Sequence, residues 1–276
     1  NNGVPSFNND LIKIFDYNDS DGLEQIFEDN PNEISAVIME PTSLEKPTNN
    51  FLQKVRKISN QNDSLLIFDE VITGFRFDLE GGQKFFNINA DMVCFGKGMG
   101  NGLPISAITG PSEYMSIFDK LWVSSTNNSE TLSLAGSIAV INEMKEKNTI
   151  AYCWDLGKKL FEDWNQIAEK YNINAKMTGY PIRMSMQCFD SQSNTSPTLE
   201  ALILQELVKD GIFMSPGTTF LSYSHTQNDV EFTLETFEKI CKKITSSVTN
   251  DQYEKLLEGK LPKKIWSLAI PPTKKK

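Results

Sequence analysis

A single histidine, His225, serves all 276 residues, and the four cysteines (Cys94, Cys153, Cys188, Cys241) stand far apart. No CxxC pair or Cys/His ligand spacing occurs, which argues against a zinc site and a disulfide framework. Basic residues are also short: 27 Lys and Arg against 36 Asp and Glu leave a formal net charge of −9. Nucleic acids and anionic membranes select basic faces, so neither is expected as a partner. No apolar run reaches the roughly 20 residues that span a bilayer. GxxxxGK[ST] and a strand-linked GxGxxG are both missing, which removes the nucleotide-binding readings that glycine clusters invite. The composition that is there, 39% hydrophobic and 10% aromatic, supports a packed core in one large or two ordinary domains. The expectation is a soluble protein of a reducing compartment, the cytoplasm.

Short apolar runs alternate with helical patterns. Ala36 to Met39, Leu65 to Phe68, Met92 to Phe95 and Ile105 to Ile108 read as strands. The runs are continuous rather than alternating, as in strands covered on both faces. Asn49 or Asn50 is placed to cap a helix carrying Phe51, Leu52, Val55 and Ile58 on one face. Beyond Ser129 the character changes. Helical patterns cover 129–147, 149–171 and 198–210, with strand-like pieces at 182–186 and 220–223. In the last helix Val230, Leu234, Phe237, Cys241, Ile244 and Val248 line one face, and Asn228 with Glu231 is a start signal. The order predicts an α/β layer architecture followed by a smaller α+β domain.

Three polar residues close successive predicted strands: Glu40, Asp69 and Lys97. In open α/β sheets, ligands bind beyond the carboxyl ends of the strands. A lysine flanked by glycines is ordinarily a solvated loop residue. Paired with an acid on a neighbouring strand, it is either half of a salt bridge or one end of a cofactor site. Pyridoxal phosphate (PLP) needs such a pair, a Schiff-base lysine and an acid on its pyridine nitrogen. The acid keeps that nitrogen protonated, because an opposite charge favours the ionised form.

The stretches LLIFDEVITGFR (65–76) and ADMVCFGKGMGNGLPISAITG (90–110) resemble the class III PLP-dependent aminotransferases, nearest to the glutamate-1-semialdehyde aminomutase group. GVP (3–5), YND (17–19), AVIMEP (36–41), SSTNNSETLSLA (124–135) and SHTQND (224–229) extend the resemblance to about residue 260. It implies the fold type I architecture of PLP-dependent transferases. Residues 1–147 would be part of the large mixed-sheet cofactor domain, 148–260 a smaller α+β domain and 261–276 a tail. It further implies that Lys97 is the Schiff-base and proton-transfer residue and that Asp69 pairs with the pyridine nitrogen. Val71 would pack on the ring, Thr126 would reach the phosphate held mainly by the other subunit of a homodimer, and Glu40 would lie near the cofactor. The partners implied are a small-molecule amino donor and a carbonyl acceptor. Arg183 could meet a substrate carboxylate or form a salt bridge, Arg76 could be in a surface ion pair, and His225 is expected to be structural.

The family's N-terminal portion, with its phosphate-binding and ring-stacking residues, has no counterpart here, so the chain is expected to be the C-terminal part of a longer protein. After Thr126 stands Asn127-Asn128-Ser129 where the aminomutases tend to have Gly-Asn-Pro. That leans toward transfer between two molecules. The alternatives are the aminomutase itself and a non-catalytic relative acting as a binding partner.

Overall fold

The computed structural model describes residues 5–247 and 252–261. A four-stranded sheet has the order β1-β2-β3-β4. Strands β1 (Ala36–Met39), β2 (Leu65–Asp69) and β3 (Met92–Phe95) are parallel, and β4 (Ala107–Thr109) runs antiparallel to β3. Helices α1 (Ser20–Asp29), α2 (Phe51–Gln61) and α3 (Gly81–Phe86) accompany the parallel strands, and a single turn, α4 (Ser112–Met115), follows β4. The stripe expected on α2 is the one buried, and it meets Val37, Leu66 and Phe68 in a core with Leu23 and Phe27. Asn50 precedes α2 in the left-handed conformation and makes no side-chain cap bond.

Side chains alternate along a strand, and Leu66 and Phe68 point into this core. Ile67 and Asp69 therefore share the opposite face with their register partners Ile38, Met92 and Cys94. That face is open, not covered as the continuous apolar runs led us to expect: Ile38 is 62% and Ile108 46% exposed. All three helices lie on the other side. The expected strand 105–108 also starts later, at Ala107, because residues 100–104 are taken up by turns.

Helices α5 (Thr131–Lys147) and α6 (Thr149–Lys170) follow; β5 (Ala175–Tyr180) and β6 (Arg183–Cys188) then form an antiparallel pair, covered by α7 (Pro197–Lys209) and α8 (Gln227–Ser247). This second core centres on Trp164 stacked on Phe237, ring centroids 3.5 Å apart. Val230, Leu234, Phe237, Cys241 and Ile244 of α8 are all buried as their spacing predicts; Val248 lies outside the described residues. The start of α8 is set by Thr226 and Asp229, each side chain accepting from the other's backbone N–H, rather than by Asn228 and Glu231. Residues 220–223 form no strand; only the neighbouring Thr219 bridges to Met184.

Helix α5 is unlike the others. Glu130 caps its first N–H groups, accepting from Leu132 and Ser133, where a negative charge is favoured. Yet it buries Ser133 and Ser137 while Leu132 and Ile138 are 67% and 63% exposed. Gly136 lets it press on Leu103. With Leu121, Trp122 and Val123, also exposed, α5 contributes to the apolar surface of the fold.

Candidate active site

Asp69 ends β2 and Cys94 is its register partner on β3. The backbone N–H of Glu70 continues the pairing to the Cys94 carbonyl at 2.9 Å. Burial, and then the nearby Asp69 charge, push the Cys94 thiol up from its ordinary value, so the carboxylate lies alongside that strand. Asp69 Oδ1 also accepts from the Val71 N–H at 3.1 Å. The Val71 side chain rests against Gly96, where an added Cβ would sit 3.4 Å from Cγ1. Lys97 follows directly and opens a 3₁₀ turn, Lys97–Met99. Asp69, Val71 and Lys97 are thus joined through one continuous set of contacts at the carboxyl ends of adjacent parallel strands.

Lys97 is exposed and makes no ion pair or side-chain hydrogen bond among the described residues. Its φ is +39°, in the left-handed region, which costs a non-glycine residue about 1–2 kcal/mol. Gly98 on its other side approaches Gly74 and Phe75, and Phe75 too has a positive φ, +56°. Two non-glycine residues thus adopt this conformation beside the candidate site, where backbone strain tends to collect.

The loop after Asp69 is fixed by a residue the sequence reading passed over. The Glu70 carboxylate is buried and accepts from Thr73 Oγ1 (2.8 Å), Gln83 N (2.9 Å) and Gly82 N. Burial pushes its pKa above the usual carboxylate range despite these donors. Gly81, at φ +84°, and Gly82 leave the room it needs, since a side chain at Gly81 would collide with the carboxylate. The pair Gly81-Gly82, eleven and twelve residues on, was the available signal.

The other residues singled out make contacts of their own. Glu40 is engaged by Arg183 at 2.6 Å, and Arg183 also bonds the Thr42 carbonyl at 3.1 Å. That settles Arg183 as half of an ion pair between the end of β1 and the start of β6. Thr126 lies in an exposed turn, 126–129. His225 Nδ1 accepts from the Ser222 N–H at 3.0 Å and steadies a loop. Arg76 is not in a surface ion pair: it is half-buried, donating to the Leu221 carbonyl at 3.2 Å and lying 4.7 Å over the Phe220 ring. Among the described residues no group of three or more His, Cys, Asp or Glu side chains is placed to hold a metal.

An acid on one strand end and an unpaired lysine on the next, with a valine between, suit an aromatic cofactor that has a basic ring nitrogen and an aldehyde. The architecture is that of fold type I transaminases. An omega-transaminase from Sphaerobacter thermophilus superposes with a TM-score of 0.78 at 24% identity, over 88% of this chain and 59% of that one. The FumI protein of Sphingopyxis sp. MTA144, in its PLP internal aldimine form, gives 0.79 at 22% identity, over 92% and 63%. In sequence, residues 4–243 match the class-III aminotransferase model, and the chain belongs to that family. The glutamate-1-semialdehyde 2,1-aminomutase of Alkaliphilus oremlandii is 35% identical over 242 residues, 82% of this chain and 56% of that protein. A 3-aminobutyryl-CoA aminotransferase of Cloacimonas acidaminovorans is 30% identical over 84% of this chain and 58% of its own length. The chain therefore spans a little over half the length of these relatives.

Proposed function

We propose that this chain carries the cofactor-anchoring part of a PLP-dependent aminotransferase. The observation that carries the reading is the joined set Asp69, Val71 and Lys97, with Lys97 exposed, unpaired and held in a left-handed turn. Pyridoxal phosphate, when bound, supplies an electrophilic carbonyl and an acceptor for the electrons released at a substrate carbon. Asp69 would hold the pyridine nitrogen, where a nearby negative charge favours the cationic form. Lys97 would hold the aldehyde end, and its amine would move the proton at the donor's α-carbon. Val71 would pack against the ring. Glu40 acts through Arg183, tying the end of β1 to β6.

The substrates are a small amino donor and a carbonyl acceptor. The cores around Phe51 and around Trp164 support a cofactor domain up to about residue 147 and a smaller domain up to about 260, with a third cluster of Phe77, Cys153, Tyr180 and Ile182 joining them. The assembly that fits is a homodimer in which Thr126 serves the partner subunit's cofactor phosphate; the exposed apolar surface around Trp122 supports it. Four free thiols suit the cytoplasm. The sequence Asn127-Asn128-Ser129 favours transfer between molecules over the mutase reaction, and a requirement for a diffusible acceptor separates the two. The test is an absorbance titration with PLP: a new visible band in the wild type, absent in Lys97→Ala, is expected. Equal spectra for the two proteins would overturn the reading.

A further inference from the structure

A cavity of about 580 Å³ borders the Lys97 turn at Gly98 and Asn101 without being lined by Lys97, Asp69 or Val71. Val140 of α5, Ile150 and Cys153 of α6, Ile182 and Leu221 give it largely apolar walls. Its volume lies in the range of small-molecule sites. Into these walls is set one guanidinium, that of Arg76.

The surroundings leave that charge uncompensated. Arg76 donates only through Nη1, to the Leu221 carbonyl at 3.2 Å and the Ile182 carbonyl at 3.5 Å. The N–H groups of Nε and Nη2 have no partner among the described residues, and no carboxylate there pairs with the side chain. Burial and then the neighbouring Arg183 cation depress its pKa, and the neighbouring Cys153, a thiol that burial keeps protonated, supplies no counter-charge. Arg183 is itself matched by Glu40. The acid on the cavity wall, Glu143, is matched by Lys147. A partly desolvated charge without a counterion is costly, and a planar guanidinium with free donors is suited to a carboxylate. The backbone aims it with strain, since the bulky Phe75 immediately before it sits at φ +56°.

We propose that Arg76 makes this cavity a binding site for a small organic carboxylate, with the apolar walls holding its hydrocarbon part. The site goes beyond the amino-transfer reading and stands whether or not that reading does. The carboxylate belongs either to the far end of an amino-transfer substrate or to a separate small acid.

Calorimetric titration of the chain without cofactor tests the site, using hexanoate as the probe and 1-hexanol as its neutral match. Hexanoate is expected to bind at least about tenfold more tightly than 1-hexanol, and Arg76→Met to remove that difference, as a lost charge-assisted hydrogen bond requires. Ile150→Phe, which fills the cavity from α6, is expected to abolish hexanoate binding; it decides the matter if Arg76→Met does not fold. Failure of the wild type to bind hexanoate, equal binding of the alcohol, or unchanged binding by Arg76→Met would each overturn the proposal. With PLP present, 6-aminohexanoate and hexylamine as donors separate the two sources. A KM raised by Arg76→Met for the amino acid alone assigns the site to the substrate. Unchanged KM values with hexanoate binding intact assign it to a separate acid.

Discussion

Replacing Lys97 with glycine should stabilise the protein while removing its proposed chemistry. Lys97 adopts φ +39° between Gly96 and Gly98 and makes no side-chain bond among the described residues. The left-handed conformation costs a residue with a Cβ about 1–2 kcal/mol, and glycine escapes that cost. Glycine also adds freedom to the unfolded chain, which returns about 0.5–1 kcal/mol. The net expectation for Lys97→Gly is a gain of about 0.5–1 kcal/mol, or a Tm higher by roughly 2 °C for a chain of this size. Lys97→Ala keeps the strain and loses no contact, so its Tm should stay within about 1 °C of the wild type. Differential scanning calorimetry of the three proteins under one condition reads this directly. A Tm for Lys97→Gly at or below that of the wild type would refute the claim that a strained lysine is retained here for its amine.

Four further outcomes follow from the packing and charges. Glu70→Gln places an amide NH₂ against the N–H donors that hold the carboxylate; it should cost about 1–3 kcal/mol in urea unfolding at pH 7. The raised pKa of Glu70 means its own contribution is full below the ordinary carboxylate range and is lost as pH rises through its folded value, so the penalty of Glu70→Gln should be largest in acid and shrink as pH rises. Glu206 behaves oppositely: burial raises its pKa, but hydrogen bonds from Lys209, Lys243 and Gln205 outweigh it and bring it from 4.5 to about 2. Its stabilisation, about 2 kcal/mol once exposure of the lysines is allowed for, is present above pH 4.5 and lost as pH falls toward 2, and Glu206→Gln should flatten that part of the stability curve. Gly157→Ala drives a methyl group into the Pro181 carbonyl and should cost at least about 1–3 kcal/mol by thermal unfolding. Trp122→Asp, at a side chain 96% exposed, should shift sedimentation from dimer to monomer and make the Tm independent of protein concentration; a wild type that sediments as a monomer would remove the proposed homodimer.

What could be read from the sequence depended on how local its cause was. The stripe of α8 and the ends of β2 and β3 follow from apolar spacing and the polar residues that close each run, so the placement of Asp69 and Lys97 at strand ends was legible. Strand β5 was missed because Ala175–Tyr180 alternates Ala, Met and Gly with Lys, Thr and Tyr, a weak signal without its partner β6. The open face beyond Ile38 and Ile67 was misjudged since an apolar run does not say what covers it. Arg76 was beyond reach for the same reason. Its setting is made by Ile182 and by Leu221, more than a hundred residues away. Glu40 and Arg183 are likewise 143 residues apart, and neither carries a mark of its partner. The left-handed backbone of Lys97 was hinted at by its glycine neighbours, but only the folded turn shows it.

Borohydride reduction of the chain after incubation with PLP, followed by peptide mapping, tests the central claim most directly. The account predicts a reduced pyridoxyl group on the Lys97 peptide, at near one per chain, and its loss from that peptide when Asp69 is changed to Asn. A label spread over many surface lysines, or concentrated on a lysine other than Lys97, would contradict it.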